Sequence, residues 1–395
     1  MSSPALGRAR LAGRLGAPGP LAGDPMTEHS AWNKRRSLLK KTLPGRVLLG
    51  AACLAYGAGV LGRRLLYDLK ILRRKRLDAQ VICVGNLTAG GTGKTPAVLL
   101  AAETLRRRGH EVAVLSRGYG RSAPRKEVAV LLDGRHTDWR LCGDEPWMIH
   151  QSLQGLGVPV LVCPDRAKAG ELAVEMYGSR VLILDDGFQH LKLHRDLDVV
   201  LVNARNPFGG RRLLPLGDLR EPLSALRRAQ MVIITHADRV TASELSLLRE
   251  EIWKVHAGVK LLESAHKADH VLDVRTEKKY PLSLLRGKSV AALCGLGDPL
   301  SFEAQLEELG AELAQAWRYP DHHPYTEREM ISIEALRGGL PLVTTFKDFV
   351  RLPGNWRDIL KGEVLVLGIK LVILKGRNVW IDTLDALAKD AGKQP

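Results

Sequence analysis

The sequence predicts an α/β fold, a parallel sheet flanked by helices, with a second, smaller α/β domain behind it and an apolar, membrane-associated helix before it. Three observations predict this. Short runs that are hydrophobic throughout recur along the chain: Val81–Val84, Val112–Leu115, Val160–Cys163, Val181–Leu184, Val199–Val202 and Met231–Ile234. Helix-like stretches, Ala97–Arg108 and Ala167–Tyr177, fall between them. Strands without polar alternation are buried on both faces, which is the signature of a parallel sheet sandwiched by helices. The rhythm then restarts more weakly after Leu261, with strand candidates Ser289–Leu293, Pro341–Thr345, Val364–Leu367 and Leu371–Leu374 and a helix Ser301–Leu309. At 395 residues, two domains of ordinary size plus an appendage are expected. We place the first at 77–258, closed by an amphipathic helix from Ser243 to about Val255, and the second at 259–395.

Residues 1–45 form a basic extension, and the first 25, rich in Ser, Gly, Pro, Ala and Arg without apolar periodicity, are expected to be disordered. Met26 offers a later start. The segment 46–76 follows as an anchor. Its sixteen uncharged residues, Val47–Gly62, lie between Lys34-Arg35-Arg36, Lys40-Lys41 and Arg46 on one side and Arg63-Arg64 and Arg73–Arg76 on the other. That run is shorter than the roughly 20 residues of a spanning helix and is diluted by four glycines. No cleavage site precedes the basic cluster, which argues against a secretory signal. A short transmembrane anchor and a helix lying in one leaflet with its cationic flanks on anionic headgroups remain the two readings. In both, Arg73–Arg76 keeps the globular part on the cytoplasmic side.

The formal net charge is +16, yet residues 1–76 hold 16 Lys and Arg against three acids, Asp24, Glu28 and Asp68. The remainder is nearly neutral. Such asymmetry argues against nucleic acid as a partner and locates the basic function at the N-terminus, facing an anionic surface. The five cysteines, Cys53, Cys83, Cys142, Cys163 and Cys294, form no C-x-x-C pair and read as buried, reduced thiols.

The chemistry begins at Val81–Pro96, VICVGNLTAGGTGKTP. An apolar strand feeds a loop of Thr88, Ala89, Gly90, Gly91, Thr92 and Gly93, whose backbone N–H groups can converge on phosphate oxygens. The helix opening at Lys94 adds its positive end. Lys94 would neutralise the β- and γ-phosphates and the Thr95 hydroxyl would ligate Mg²⁺. The spacing departs from G-x-x-x-x-G-K-[ST] because Thr88 stands at the first glycine. This makes the first domain P-loop NTPase-like, with a nucleotide and Mg²⁺ as expected ligands.

Phosphoryl transfer also needs a metal site and a group that handles the acceptor's proton. In Arg180–His190, RVLILDDGFQH, four apolar residues end in Asp185-Asp186, placing carboxylates at the carboxyl edge of a parallel strand. Successive residues point different ways, so one acid would bind the metal directly and the other support it. Ser116–Gly120, SRGYG, ends another strand; Arg117 could hold phosphate and Tyr119 could contact a substrate ring, or the stretch is an ordinary turn. Gly143–Pro146, GDEP, adds Asp144 and Glu145, either dipole partners of the following helix or a general base and a metal ligand. Gly295 and Gly297 mimic half a dinucleotide fingerprint, but a strand-to-helix turn is the better reading.

GNLTAGGTGKTP, SRGYG, GDEP, DDGFQH, LLPLGDLREP (Leu213–Pro222) and YPDHH (Tyr319–His323), in this order over about residues 60–370, resemble the tetraacyldisaccharide 4′-kinase family of lipid A biosynthesis. The resemblance implies an ATP-dependent kinase that phosphorylates the 4′-hydroxyl of a tetraacyldisaccharide 1-phosphate and forms lipid IV A at the cytoplasmic face of the inner membrane. Its partners would be that anionic glycolipid and inner-membrane lipid, and a monomer is expected. It further implies Asp144 as the base, working with a histidine of the second domain, His322 or its neighbour His323. Glu145, Asp185 and Asp186 carry over as metal-site carboxylates, and Tyr119, Gln189 and His190 as active-site residues.

This chain departs from the family at three places. A tract usually reading threonine-glutamate-lysine-aspartate is Thr345-Phe346-Lys347-Asp348, Asp218 stands where proline is usual, and Arg211 and Arg212 make FGGRRLLP more basic. Those arginines read either as ligands of the substrate's 1-phosphate or as solvated charges. A competing reading, a nucleotide-dependent switch, lacks support because His236-Ala237-Asp238 is not an N-K-x-D guanine motif. A scaffold with a decayed loop is disfavoured by the presence of Lys94, Thr95, Asp185 and Asp186.

Overall fold

The computed structural model describes residues 36, 38–124, 126–132, 139–321 and 323–391. The first 25 residues, expected to be disordered, lie outside them. Contacts divide the chain into two units: residues 270–368, and the described residues to 269 together with 369–391.

The larger unit opens with helix α1, Leu43–Asp68. Thr42 caps it by accepting from the Gly45 N–H at 3.2 Å, and Pro44 sits in the first turn. The helix therefore starts inside the basic extension rather than after it, because the cap and the proline precede the apolar run. Over its 26 residues only Gly45, Leu49 and Gly57 are buried. Leu43, Val47, Leu48, Leu54, Leu61 and Leu65 are exposed. Its length and composition suffice to cross a membrane.

Then come β1 (Gln80–Asn86), α2 (Lys94–Arg106), β2 (Val112–Ser116), β3 (Ala129–Leu131), α3 (Trp139–Cys142), α4 (Asp144–Ser152), β4 (Val160–Val162), α5 (Arg166–Tyr177), β5 (Val181–Asp185), β6 (Leu197–Asn203), β7 (Met231–Thr235), α6 (Ala242–Val255) and β8 (Lys260–Asp273). The sheet order is β8-β7-β6-β1-β5-β2-β4-β3. Neighbouring strands run parallel, except β3 against β4. The strands are hydrophobic without alternation because both faces are covered. Val81, Cys83, Leu182, Leu184, Val200 and Ile234 face one core, which also holds Ala169 and Ala173 of α5 and Leu245 and Leu248 of α6. Ile82, Val84, Ile183, Leu201 and Ile233 face the other, with Ala97, Ala101 and Leu105 of α2.

The chain passes into the smaller unit within β8. There β9 (Lys278–Tyr280) pairs antiparallel with Val271–Asp273, and β10 (Ser289–Cys294), α7 (Pro299–Glu308), β11 (Glu312–Arg318), α8 (Glu327–Leu336), β12 (Leu342–Thr345), α9 (Phe346–Phe349), α10 (Trp356–Ile359) and β13 (Val364–Lys375) follow. The order β11-β10-β12-β13 is parallel. Asp298 caps α7 by accepting from Ser301 N–H at 3.3 Å, so Gly295–Pro299 is a strand-to-helix turn and no dinucleotide fingerprint. The two expected strands Val364–Leu367 and Leu371–Leu374 are one strand, whose Gly368 admits the His270 ring at a distance no Cβ would allow.

Helix α11, Arg377–Ala391, corrects the expected boundary of the second domain. Trp380, Leu384 and Ala388 pack into the α2 face of the larger unit, and Trp380 Nε1 donates to Thr104 at 3.5 Å. The smaller unit thus ends at residue 368 and not at the C-terminus, because the apolar face of this last helix completes the first core. The cysteines are free; Cys53 is half-buried and the other four are buried.

Candidate active site

β1 is buried along its whole length and delivers Thr88–Gly93 at the carboxyl edge of the sheet. Gly93 has φ +85° and caps α2 without a side chain, so the first N–H groups of the helix stay open to a ligand in the loop. Three strands next to the loop or beyond it hold its backbone. Asn86 Nδ2 donates to Thr88 O at 2.7 Å, Asn203 of β6 to Gly91 O at 3.5 Å, and Thr235 of β7 to Thr92 O at 3.0 Å. From outside, Ala89 N–H donates to Asp218 O at 2.7 Å and Thr88 bridges Leu219. The Thr88 that departs from the generic pattern is buried and its backbone bridges Leu219 of the 213–220 loop.

Lys94 Nζ lies 3.8 Å from Asp186 Oδ1. Asp185 ends β5 and is buried, accepting from Ser116 Oγ of β2 at 3.0 Å. Burial, then the charges of Glu145 and Asp186, push its carboxyl up to about 7, with Lys94 opposing. Asp186 sits one residue past the strand in a left-handed conformation, φ +48°. Burial works to raise it, but Lys94 and Arg220 outweigh burial and hold it below the ordinary carboxylate range. Three carboxylates therefore crowd one low-dielectric site, and the cations beside them favour Asp186 over Asp185. Among the described residues no three His, Cys, Asp or Glu side chains are already arranged as a cation cage.

Asp144 and Glu145 lie within the first turn of α4 rather than before that helix. Asp144 Oδ1 accepts from Glu145 N–H at 2.9 Å. Gly143 precedes them at φ +98°, and a Cβ there would meet Tyr119 O at 2.9 Å. The SRGYG and GDEP turns are thus packed backbone to backbone, while the Arg117 side chain is exposed and Tyr119 is 83% exposed. Gln189 Nε2 donates to Asn86 O at 3.0 Å and to Glu221 at 3.1 Å, which makes it a brace between β1 and the LREP turn. His190 is half-buried; burial, then Arg166, pulls its imidazole down to about 4, and its Nε2 has no hydrogen-bond partner among the described residues.

Two residues absent from the expected set belong to this site. Arg220 Nη1 donates to both oxygens of Asp186 at 2.9 Å, and buried Arg166 lies close enough to lower Asp186 electrostatically. Arg220 was visible as part of LLPLGDLREP; Arg166 had no signal, because a lone arginine after a strand usually stays in solvent. Helix α1 reaches the same loop: Tyr56 donates to Arg220 O at 2.9 Å and Cys53 to Leu213 O at 3.4 Å. Asp218, in place of the usual proline, pairs with Arg36 at 2.6 Å. Arg211 is engaged with Glu251 at 2.7 Å on an exposed surface, which fits the surface-charge reading.

In the smaller unit, His322 lies outside the described residues. His323 Nε2 is 3.0 Å from Glu329 and its ring stacks on Tyr319 at 4.5 Å. The unusual Phe346 packs edge-on against Phe349, and the acid that matters locally is Asp348. It is buried and accepts from Gly295 N–H at 2.9 Å, Tyr325 at 3.1 Å and Thr345 at 2.7 Å.

Known proteins are similar to this chain over most of its length. The family model described as tetraacyldisaccharide-1-P 4′-kinase matches residues 46–388. A tetraacyldisaccharide 4′-kinase of Elusimicrobium minutum is 43% identical over 355 residues, 90% of this chain and 94% of the relative. One from Anaeromyxobacter dehalogenans is 42% identical over 362 residues, 90% of this chain and 93% of its own. The crystal structure of LpxK from Aquifex aeolicus in complex with ATP superimposes with a TM-score of 0.70 at 31% identity, covering 87% of this chain and 99% of that one. This chain therefore belongs to the tetraacyldisaccharide-1-P 4′-kinase family.

Proposed function

We propose that this protein transfers the γ-phosphate of ATP to the 4′-hydroxyl of tetraacyldisaccharide 1-phosphate, forming lipid IV A, as a monomer on the cytoplasmic face of the inner membrane. The observation that carries the chemistry is the approach of Lys94 to Asp186 at 3.8 Å, at the mouth of an open helix N-terminus. Gly91, Gly93 and the N–H groups opening α2 bind the phosphates, and Lys94 balances their charge. The crowded carboxylates Asp185, Asp186 and Glu145, with the Thr95 hydroxyl, would hold Mg²⁺, which screens phosphate charge when bound. Asp144, in the first turn of α4, accepts the proton of the attacking hydroxyl. As the family resemblance implies, a histidine assists it, for which we take His322. Arg117 and Tyr119, exposed beside the GDEP turn, are free to meet the sugar.

The exposed apolar side chains of α1 fit a helix that lies in or crosses a bilayer, and the substrate's four acyl chains hold it in the same layer. Enzyme and lipid then meet in two dimensions, with the basic flanks of α1 on anionic headgroups. The test is incubation of the purified protein with labelled ATP, Mg²⁺ and tetraacyldisaccharide 1-phosphate in detergent. Label in the lipid fraction supports the assignment. Label released only as free phosphate, with none in lipid, favours a nucleotide-driven switch.

A further inference from the structure

The phosphate loop has two sides. Asp185 and Asp186 follow β5, which pairs with one edge of β1, and Lys94 leans toward Asp186. The other edge of β1 leads to β6, β7 and β8. A nucleotide whose terminal phosphate lies by Lys94 therefore extends its nucleoside end toward the carboxyl ends of β6–β8.

Two histidines stand there. His236 follows β7 in a left-handed conformation, φ +55°. His266 lies on β8, its ring centroid 4.3 Å from that of His236 and the planes tilted by 34°. The His266 ring touches the loop itself: a Cβ on Gly93 would fall 2.4 Å from its Nε2. Neither nitrogen of His266 has a hydrogen-bond partner among the described residues, though both are buried. Burying two unsatisfied polar atoms is destabilising, a cost that an aliphatic side chain filling the same space would avoid.

We propose that His236 and His266 form the nucleoside end of the ATP site, with His266 as a fixed wall under Gly93 and His236 as the ring on which the adenine stacks. Both rings stay neutral. Burial, then His236, pulls His266 down to about 3, and burial lowers His236 against the opposing pull of Asp238. Uncharged imidazoles make poor phosphate ligands but good stacking partners for a heteroaromatic base. The His236-Ala237-Asp238 turn, which is no guanine motif, would thus serve the base by ring contact without reading its edge. The inference rests on the ATP-site reading given above.

Calorimetric binding of ATP and of inorganic tripolyphosphate to the full-length protein in detergent separates base recognition from phosphate recognition. Wild-type protein is expected to bind ATP at least about ten-fold tighter than tripolyphosphate, in line with one stacked base. His236→Asn, which tolerates the left-handed backbone, should lose about that ten-fold for ATP and leave tripolyphosphate unchanged. His236→Phe should restore the ATP affinity. Equal affinity of the wild type for both ligands overturns the proposal and leaves the phosphate loop standing. So does an equal loss of both ligands in His236→Asn. A wild type that binds neither overturns the ATP-site reading as well.

Discussion

The Nη1 of Arg220 sits 2.9 Å from each carboxylate oxygen of Asp186, so the acid one residue beyond β5 is held by a side chain from the LREP turn. That turn is fastened in its turn to the apolar helix, through the Tyr56 hydroxyl on Arg220 O at 2.9 Å. Removing the guanidinium strips Asp186 of its hydrogen-bonded cation and leaves Lys94 and the more distant Arg166 to balance three carboxylates. Arg220→Ala should lower kcat by about 10–10²-fold, the equivalent of one charge-assisted hydrogen bond of about 1.5–3 kcal/mol. Arg220→Lys should recover part of it, because charge returns without the planar geometry. Steady-state kinetics decide; unaltered kcat in Arg220→Ala removes Arg220 from the site.

Gly93 is required on two independent grounds. Its φ of +85° is strained for any residue with a Cβ, and that Cβ would meet the His266 ring at 2.4 Å. Gly93→Ala should therefore shift the loop, abolish measurable nucleotide binding and leave the far-ultraviolet circular dichroism of the sheet unchanged. By contrast, Gly91 meets nothing within 4 Å of its Cβ position, and Gly91→Ala should bind nucleotide with a much smaller loss. Equal losses in the two variants contradict this geometry.

The parallel sheet, the phosphate loop and the acids at Asp185-Asp186 were legible because each follows from a local rule. Strands buried on both faces lose polar alternation, glycines mark the cradle, and an apolar run ending in carboxylates marks a sheet edge. β8 and β11 were missed for the complementary reason. KLLESAHKADHVLD and ELAQAWR mix exposed and buried positions without a clean period of two. The return of α11 to the first core was illegible too, since its amphipathic face does not say which of two units covers it. Arg166 and His266 entered the site through burial, which only the fold creates. Phe346 shows the limit of reading departures one residue at a time: the structural acid of that tract is Asp348, two residues on.

His190 and His266 set a pH response of stability. Burial, with Arg166, holds His190 at about 4, and burial, with His236, holds His266 at about 3. Both lie below the roughly 6.5 of an exposed imidazole. The unfolded chain then binds protons that the folded chain refuses, so stability is full above about pH 6.5 and falls as pH is lowered toward the folded values. Thermal unfolding followed from about pH 7.5 to about pH 4.5 should show Tm dropping with acidity. His266→Phe, which keeps a ring and cannot protonate, should flatten the slope. An unchanged slope in that variant rules out His266 as a contributor.

Asp348 organises the smaller unit. It takes hydrogen bonds from Gly295 N–H, Tyr325 and Thr345, which tie the ends of β10 and β12 to the segment after YPDHH. Asp348→Ala leaves the Tyr325 hydroxyl and the Gly295 N–H buried without that acceptor, and should cost about 2–4 kcal/mol in urea unfolding. Asp348→Asn keeps one acceptor oxygen and should cost less. A loss below about 0.5 kcal/mol in Asp348→Ala would mean the network is redundant.

Asp144 is the sharpest test of the reaction itself. It occupies the first turn of α4, and the Gly143 before it packs so close to the Tyr119 carbonyl that a Cβ there would fall 2.9 Å from the oxygen. A carboxylate fixed in this way can take a hydroxyl proton without moving. Asp144→Ala should therefore lower kcat by about 10²–10⁴-fold, the range expected for loss of a general base. Its ATP affinity, measured by direct binding, should stay close to that of the wild type. Asp144→Asn, isosteric and unable to accept the proton, should fall as far as Asp144→Ala; if it instead retains wild-type turnover, the proton leaves by another route and the residue serves only the turn.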